Sequence, residues 1–587
     1  MNWRGWLRSK ANLRLSQAVG SNHQQLLGPS LQQSLPPRSV HLFGGCLAEH
    51  LASRAMALGW QMEHVLYQSG LHERPALANN AKFEAILVIF SLRTVLGQAA
   101  QELVGFHDAD LLYQKDLDPD AVISSAQNVL DGLLQHFTDA MQGSTPVFLL
   151  SFIEPPATSS GLFTPRQRGG IYQLVHALNN HLAARLSQNP SSYYLEINDL
   201  LRAEGDRGIY DGYDFCFAHA GLLSGRDEHP LPGRILQRLD QMLSVLAAEQ
   251  PVKLIITDLD NTLWKGVLAE EEDIVPGDHT EGWPIGYAEA LIECKRRGIV
   301  LAICSKNEEA PTRANFDKVW YGRIRWEDFA VTRVNWQPKS QNVREILQAV
   351  NVLPEHAVFI DDNPLEIAEV TRAFPQMRAL TGDPHTWRME LLYGVPYQVP
   401  RLSAESQQRT EAIQAKVQRD SQLASGDREG YLRELGLAVE ILTIGLQSPQ
   451  FARALELLNK TNQFNTTGQR WTMAEMGAFV ADGGRLYALR ARDRMTEHGL
   501  VGLALLQGNR LRQLVLSCRV FGLGLEDALL QHLCRLGDQG QTLRADWVDT
   551  GRNATARQFL EQHFLPQEDV WQLREAPGWP EHIAVLR

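Results

Sequence analysis

Runs of apolar residues alternate with amphipathic segments in the first region of the chain. Four runs have the length and the β-branched and aromatic content of buried strands: VHLFGG, FEAILVIFSL, TPVFLLSFIEP and SYYLEI. The segments from Cys46 to Trp60 and from about Gln173 to Gln188 have the spacing of helices. Buried strands separated by helices predict a parallel α/β sheet between Val40 and about Leu201.

A second region with the same pattern starts at Val252. Its strand candidates are VKLIITDLD, GIVLAICS, FAVTR and HAVFIDDN, and helical segments such as those from Tyr287 to Arg297 and from Ser340 to Val350 separate them. A polar helical stretch follows, at about 403–433. Beyond it the order becomes a helix, the strands LYALRAR, GLVGLALL and RLRQLVLSCRV, and then helix, strand and helix. We therefore expect two tandem α/β regions followed by an α+β region.

The composition is that of an ordinary globular protein. Of the 587 residues 44% are hydrophobic and 21% are charged, which excludes collagen-like, mucin-like and linker polypeptides. This length predicts about three or four domains, each with its own core. Lysine and arginine number 56 against 68 acidic residues, for a formal net charge of −12. Because there is also no long basic tract, we expect no nucleic-acid partner.

Cysteine usage and hydropathy bear on the compartment. The six cysteines are far apart and form no CxxC pair, so neither a disulfide framework nor a zinc knuckle is expected: Cys46, Cys216, Cys294, Cys304, Cys518 and Cys534. No apolar run approaches the roughly 18 residues of a membrane span. The acid-free start before Glu49 fits an amphipathic helix better than a transit peptide. We expect a cytoplasmic protein with no membrane partner.

The strongest chemical signal is the pair Asp258 and Asp260 at the end of an apolar strand. Ligands of a parallel sheet bind at the carboxyl ends of its strands, where these carboxylates project. Two such groups can share a hard cation while one attacks an electrophile and the other moves a proton. Other polar residues stand at comparable strand and helix ends, namely Ser305, Lys339, Asp361 and Asp362.

These elements, DLDNTLW, ICSKN, PKSQN and FIDDNP, resemble the haloacid dehalogenase (HAD) phosphotransferase superfamily. The resemblance implies Asp258 as nucleophile and Asp260 as general acid/base. It implies phosphate binding by Ser305 and Lys339. The Mg²⁺ ligands it implies are drawn from the carboxylates Asp258, Asp260, Asp361 and Asp362. Such a set is coherent, because phosphoryl transfer needs an in-line nucleophile and cations that offset charge on the phosphate oxygens.

Longer stretches of the same sequence resemble one subclass more closely. DLDNTLWKGVLAE, LAICSKN, WQPKSQN, FIDDNP, LNKTNQFNTTGQRWT and SCRVFGLGLED are similar to FkbH-like proteins, the HAD subclass IIIC of polyketide-type biosynthesis, from about Lys253 to the C-terminus. The resemblance implies a glyceryl transferase. It would dephosphorylate 1,3-bisphosphoglycerate, hold the acyl group on a cysteine and load it onto the phosphopantetheine thiol of an acyl carrier protein.

Cys304 is the candidate acyl carrier, because a thiol beside Ser305 and near Lys306 and Lys339 could have a lowered pKa. The alternative is an inert cysteine buried in a strand. Lys265, where the FkbH-like pattern has a small residue, binds a substrate phosphate or lies on an exposed flap. For the whole chain, the alternatives are a HAD phosphatase of a small phosphorylated metabolite and a carrier-protein-binding adaptor.

The C-terminal region carries a glycine-rich turn after a strand. Arg519, Gly522 and Gly524 form an R-x-x-G-x-G pattern that opens a helix, where backbone N–H groups bind anions. With the later segment starting at Asn553, NATARQF, the pattern resembles the GNAT acyltransferase fold. The resemblance implies a site for phosphopantetheine or coenzyme A at these four residues, the alternative being a turn that packs strand on helix. The polar residues from Lys460 to Asn465 line the groove of that arm or simply end a helix.

The first strand of the chain ends in Gly44, Gly45 and Cys46, in the position of the nucleophile block of SGNH hydrolases. A Cys46 pair with His219 or His229 is chemically plausible, but the other SGNH blocks are missing, and a structural or docking domain is the default.

Four segments are expected. They are an SGNH/flavodoxin-like α/β domain at 1–245, a HAD Rossmann-like domain at 252–395, a helical linker at 396–430 and a GNAT-like α+β domain at 431–587.

Overall fold

The computed structural model describes most of the chain with several gaps. The described residues are 35–45, 47–66, 83–92, 94–96, 118–142, 145–154, 171–189, 191–204, 231–268, 274–402, 408–423, 428–494, 496–536, 542–567 and 570–586. They fall into two compact units. The first is Met1–Leu243 with Thr472–Gly477, and the second is Ser244–Trp471 with Ala478–Arg587.

The first unit contains a five-stranded parallel sheet. Its strands are β1 (Ser39–Gly44), β2 (Gln61–Leu66), β3 (Ala85–Ile89), β4 (Val147–Leu150) and β5 (Ser192–Leu195). Their order is β2-β1-β3-β4-β5, which is the order of flavodoxin-like doubly wound sheets. The helices in this part of the chain are Leu47–Ala57, Pro119–Gln135, Thr138–Gln142, Ile171–Ser187, Asn198–Glu204 and Leu231–Leu246.

The predicted parallel α/β arrangement of this region is confirmed. Strand β3 is apolar at every position and buried along its whole length, as expected for a central strand covered on both faces. Strand β2 was not predicted, because its sequence QMEHVL mixes polar and apolar residues at the sheet edge. The proposed hydrolase residues Cys46, His219 and His229 lie outside the described residues.

The second unit begins with another parallel sheet of five strands. They are β6 (Leu254–Thr257), β7 (Val300–Ser305), β8 (Val331–Val334), β9 (Ala357–Ile360) and β10 (Arg378–Leu380), in the order β10-β9-β6-β7-β8. The helices are Pro276–Thr280, Trp283–Arg296, Glu309–Trp320, Lys339–Val350, Pro364–Ala373 and Pro384–Tyr393. Single turns of 3₁₀ helix occur at Trp326–Asp328, Pro354–His356 and Val395–Tyr397.

Alternation along β7 divides its side chains between the two faces of this sheet. Leu301 and Ile303 join a core that contains Trp264, whereas Ala302 and Cys304 join the core on the opposite face. Successive strand residues point to opposite faces, so neighbours in sequence have different surroundings. This parity decides which of the residues at the end of β7 face the site.

The polar stretch after residue 403 forms two helices, Arg409–Leu423 and Arg428–Glu434. Ile413 is buried in the same core as Cys304. Gln414 donates to the carbonyl oxygens of Glu327 and Phe329, and Lys416 donates to that of Ala349. The first of the two helices therefore packs on the second sheet.

The rest of the second unit is a mixed eight-stranded sheet. The strands are β11 (Ala438–Ile444), β12 (Arg485–Arg492), β13 (Glu497–Gln507), β14 (Arg510–Leu516), β15 (Arg544–Ala545), β16 (Phe564–Gln567), β17 (Val570–Leu573) and β18 (Ala584–Val585). Their order is β16-β17-β15-β14-β13-β12-β11-β18. The helices are Phe451–Lys460, Leu525–Leu536 and Ala554–His563, with a 3₁₀ turn at Cys518–Val520. The helix Met473–Ala481 is divided between the two units, since Thr472–Gly477 belongs to the first. The three long predicted strands are confirmed as β12, β13 and β14, which are antiparallel neighbours.

Candidate active site at the carboxyl edge of the second sheet

The topology of the second sheet creates a crevice at its carboxyl edge. The neighbouring strands β6 and β9 lead to β7 and β10, so the connections that leave their carboxyl ends run to opposite sides. Such a switch point is where open parallel sheets bind ligands. Asp258 follows β6 directly, and Asp361 follows β9 directly. The two carboxylates therefore meet in this crevice.

Three carboxylates form a compact group there. Asp258, Asp361 and Asp362 each offer one oxygen atom, and these atoms lie within 4.8 Å of one another. Asp258 and Asp361 are buried, whereas Asp362 is exposed. Mg²⁺ prefers oxygen ligands and is usually held by one or two carboxylates together with water and substrate phosphates. The group therefore fits Mg²⁺, with the exposed carboxylate at its open side.

Lys339 joins the two buried carboxylates. Its Nζ lies 2.9 Å from Oδ1 of Asp258 and 2.6 Å from Oδ2 of Asp361, and only 4% of the side chain is exposed. The residue begins the helix Lys339–Val350 after Pro338, which fixes where the side chain enters the crevice. Burial opposes the charged form, but the carboxylates of Asp258 and Asp361 raise the pKa of Lys339. The amine therefore stays protonated and can bind phosphate oxygens.

The charges at this edge also affect the acids. Burial, followed by the charge of Asp258, raises the pKa of Asp361 to about 7, although Lys339 opposes the shift. The same two causes raise the pKa of Asp362. Negative charge is thus crowded here, and a divalent cation would relieve the crowding.

Asp260 is oriented by contacts of its own. Its Oδ1 accepts hydrogen bonds from Nε1 of Trp264 at 2.8 Å and from the amide of Leu268 at 3.4 Å. Its Oδ2 accepts one from Nδ2 of Asn307 at 2.8 Å. Asp260 is not among the three mutually close side-chain carboxylates, and its expected role as a metal ligand stays a prediction. Held two residues beyond Asp258, its carboxyl is placed to move a proton.

Ser305 and its neighbours complete the edge. Ser305 ends β7, is buried, and its Oγ accepts a hydrogen bond from Nδ2 of Asn307 at 3.3 Å. Thr262 accepts from the amide of Asp362 at 3.1 Å and so fixes the start of that loop. Asn307 and Thr262 stand within the quoted motifs, but no role was predicted for them. Asn307 lies two residues after Ser305, and Thr262 lies two residues after Asp260. This closeness in sequence is the signal that could have indicated a role at the site.

Cys304 does not lie at this site. The residue is fully buried, and its Sγ faces the core that contains Val343 and Ile413, with a weak contact to the carbonyl oxygen of Lys339 at 4.0 Å. Burial raises the pKa of the thiol well above its usual range. The expected acyl-carrier role is corrected: strand alternation directs Ser305 to the site and Cys304 away from it, and a protonated buried thiol is no nucleophile.

Lys265 lies on the segment that follows Asp260. Its amide donates to the carbonyl oxygen of His279, and its own carbonyl oxygen is 2.7 Å from Nδ1 of His279. The backbone of Lys265 is thus tied to the helix Pro276–Thr280, in line with a flap position.

The glycine-rich turn of the C-terminal region is confirmed as a turn with left-handed backbone. Gly522 and Gly524 have φ angles of 78° and 76°, and the helix Leu525–Leu536 starts directly after them. Two acids, Glu526 and Asp527, occupy the first turn of this helix. Negative side chains there oppose an anion at the helix N-terminus. A Cβ on Gly524 would lie 3.6 Å from the imidazole ring of His582, so at this position the turn packs against the C-terminal segment that carries His582.

Two further residues predicted to bind phosphopantetheine have structural contacts. Asn553 is buried, donates to the carbonyl oxygens of Asn465 and Val548, and accepts from the amide of Thr550. It therefore braces the loop before its helix, and its predicted role in binding phosphopantetheine stays a prediction. Arg519 is buried and donates from Nε to Oγ of Ser517 at 3.2 Å.

Comparisons with known proteins complete the description. No protein-family model matches the chain, and no curated protein sequence matches it. Among the described residues, no helix has the length and apolar character needed to cross a membrane.

Several solved structures show a remote likeness. The N-terminal part of the protein BF1531 from Bacteroides fragilis, containing a phosphatase domain complexed with Mg, is 20% identical over 65% of this chain and 99% of its own, with a TM-score of 0.44. The 3-deoxy-D-manno-octulosonate 8-phosphate phosphatase from Moraxella catarrhalis, in complex with magnesium, phosphate and KDO, is 19% identical over 22% of this chain and 67% of its own, with a TM-score of 0.16. A fungal GH3 β-N-acetylglucosaminidase with a GCN5-related acetyltransferase region is 12% identical over 89% of this chain and 61% of its own, with a TM-score of 0.16.

Proposed function

We propose that the chain is a Mg²⁺-dependent phosphotransferase of the HAD type that moves a phosphoryl group from a small substrate onto Asp258 and then to water. The observation that carries this proposal is the position of Lys339 Nζ between the buried carboxylates of Asp258 and Asp361. A nucleophile, a phosphate-binding cation and a hard-metal ligand set therefore occupy one crevice.

The residues of the chain account for each step. An oxygen of Asp258 attacks phosphorus, and the bond from phosphorus to the leaving oxygen breaks. The carboxyl of Asp260 gives its proton to that oxygen. The carboxylate then takes a proton from a water molecule that attacks the aspartyl phosphate, which regenerates Asp258 and releases phosphate.

Two groups hold the phosphoryl oxygens in line. Lys339 supplies a buried positive charge, and Ser305 supplies a hydroxyl at the end of the neighbouring strand. Asp258, Asp361 and Asp362 would hold Mg²⁺, which supplies Lewis-acid stabilisation of the charge on the phosphoryl oxygens.

The test is phosphate release from p-nitrophenyl phosphate and acetyl phosphate with and without Mg²⁺. Asp258→Asn should lower kcat by about a thousandfold or more, because the covalent path is lost. Intact mass of Asp260→Asn, mixed briefly with substrate, should show an added phosphoryl group. Asp317→Asn, on an exposed surface of the helix Glu309–Trp320, is the matched control. Unchanged activity in Asp258→Asn would exclude this mechanism.

We further propose, on the sequence resemblance, that the substrate is 1,3-bisphosphoglycerate and the acceptor is the phosphopantetheine thiol of an acyl carrier protein. Both phosphates must leave to give a glyceryl thioester. The thiol sulfur attacks the acyl carbon and expels one phosphate, with its proton lost to solvent. The phosphate ester at the other end is hydrolysed by the Asp258 chemistry. Attack of Asp258 on the acyl phosphate would instead leave a free carboxylate, which cannot form a thioester.

This extension has a distinct experiment. The intact mass of a carrier protein is recorded after incubation with 1,3-bisphosphoglycerate, Mg²⁺ and either the wild type or Asp258→Asn. The wild type should add a glyceryl group, and the variant should add a phosphoglyceryl group. An unmodified carrier together with phosphate release by the wild type would leave the phosphatase and remove the transferase.

A further inference from the structure

A second polar cavity lies in the same unit, at the other edge of the second sheet. It has a volume of about 100 Å³. Lys253 comes directly before β6, and His356 comes directly before β9, and both line it. Asp258 stands at the far end of β6, about 16 Å from Lys253 for five steps along an extended chain. The cavity is therefore separate from the phosphoryl-transfer site.

The lining of this cavity is strongly cationic. Six of its residues are lysine or arginine and one is a carboxylate: Lys253, Arg297, Arg409, Arg453, Lys460 and Arg519 against Glu456. They come from the second sheet, from the helices Arg409–Leu423 and Phe451–Lys460, and from the turn Cys518–Val520. Such an excess of positive charge is unusual in a chain with a net charge of −12.

Carboxylates balance part of this charge, since Oε1 of Glu293 lies 3.6 Å from Nε of Arg297. Glu456 is already shared, at 2.7 Å each, by Arg453 and Lys460. Lys253 donates from Nζ to the carbonyl oxygen of Lys460 at 2.6 Å, and Arg409 donates to that of Gly298 at 3.3 Å. These two contacts within the described part of the chain are to neutral oxygens. Each satisfies a hydrogen bond and cancels no charge.

The pKa values of the lining residues reflect both their burial and the closeness of their positive charges. Burial, followed by the charges of Arg409, Lys460 and Arg470, lowers the pKa of Lys253 to about 7. Burial also lowers the pKa of Arg409. Positive charges held together in a half-enclosed space raise the free energy of the folded chain. A bound anion would favour the charged forms of Lys253 and Arg409 and offset the repulsion between the cations.

We propose that this cavity binds the phosphate or pyrophosphate group of a ligand, independently of the phosphoryl-transfer site. Arginine forks match the geometry of phosphate oxygens, and lysine adds a compact charge. The small volume selects a compact group, and the surplus of several positive charges selects a multiply charged one. The proposal does not rest on the proposed function, because no residue of the cavity belongs to the catalytic edge.

Inorganic pyrophosphate and inorganic phosphate are suitable probes, added to the full chain in EDTA. Without Mg²⁺ the catalytic edge presents Asp258, Asp361 and Asp362 and does not attract anions. Pyrophosphate should raise the Tm and bind measurably by calorimetry, and phosphate should bind more weakly. Arg409→Gln and Lys253→Met should each weaken binding at least tenfold. Lys318→Met, on an exposed helix surface, and Asp258→Asn should retain it.

A readout without ligand separates this role from a structural one. If crowding dominates, Lys253→Met should raise the Tm of the ligand-free protein, whereas loss of a structural brace would lower it. No Tm shift at millimolar pyrophosphate, or an equal shift in wild type and Arg409→Gln, would overturn the proposal. Should Lys253→Met fail to fold, Arg409→Gln still decides between the outcomes.

Discussion

The side-chain amide of Asn307 donates a hydrogen bond to Oδ2 of Asp260 over 2.8 Å, while Trp264 holds the other oxygen of the same carboxyl. The carboxyl of Asp260, the proposed acid/base, is thus held on two sides by these two residues. Its position relative to Asp258 is set by them.

Asn307→Ala should therefore reduce kcat for phosphate release by about 10- to 100-fold, because a misplaced carboxyl transfers its proton poorly. KM and the Mg²⁺ requirement should change little, since Asp258, Asp361 and Asp362 are untouched. Steady-state kinetics with p-nitrophenyl phosphate measures this. Asn315→Ala, on the helix Glu309–Trp320, serves as control. A variant with wild-type kcat would show that Trp264 alone suffices.

Cys304→Ala should leave phosphate release unchanged and lower the free energy of unfolding by roughly 1 kcal/mol, because it removes a buried atom from a packed core. Native-state alkylation followed by peptide mass analysis should label Cys518, which is partly exposed, well before Cys304. Rapid labelling of Cys304 in the folded protein would contradict the burial described above and revive its role as acyl carrier.

Lys339→Met should lower the free energy of unfolding by about 3–5 kcal/mol in the absence of metal, because two buried carboxylates lose their cation. Mg²⁺ should restore part of the loss by binding the folded state, so its addition should raise the Tm of the variant more than that of the wild type. Thermal unfolding at several Mg²⁺ concentrations measures both effects. Equal Mg²⁺ responses would place the metal away from Asp258 and Asp361.

The lowered pKa of Lys253 predicts a pH-dependent stability. Its pKa of about 7 in the folded chain lies below the ordinary value of 10.5. Between these values the unfolded chain binds more protons, so this residue makes the free energy of unfolding rise with pH. Burial is the largest cause of this lowering, and the charges of Arg409, Lys460 and Arg470 follow it. Urea unfolding at pH 7 and pH 9 should show a larger rise for the wild type than for Lys253→Met, and equal rises would refute the shift.

The catalytic edge could be predicted from the sequence because its residues stand at strand and helix ends. The apolar composition of β6 and β9 predicts both strands, and Asp258 and Asp361 follow them directly. It is harder to predict which of two adjacent side chains at the end of a strand faces the crevice. Cys304 and Ser305 are adjacent, and both side chains end in a group that could take part in chemistry. Only the packing of β7 between two cores decides which of them faces the crevice.

The sequence singles out Lys460 and Arg519, but no local pattern predicts the cavity that they share with Lys253 and Arg409. Lys253, Arg409 and Lys460 are separated by dozens of residues or more, and each alone is an ordinary cation near a helix or strand end. Short edge strands such as β10, with three residues, lack enough periodicity to be seen. Such short strands can be assigned only after the longer strands beside them in the sheet are known.

The helix Arg409–Leu423 has a consequence for attempts to divide the chain. It gives Ile413 to the core of the second sheet and lies against the turn Cys518–Val520 of the mixed sheet. A cut before or after this helix leaves it with only one of the two fragments. The other fragment then exposes apolar surface that the helix covers in the intact chain. The second parallel sheet and the mixed sheet should therefore fold and be expressed well only as one piece of chain, and not as separate modules.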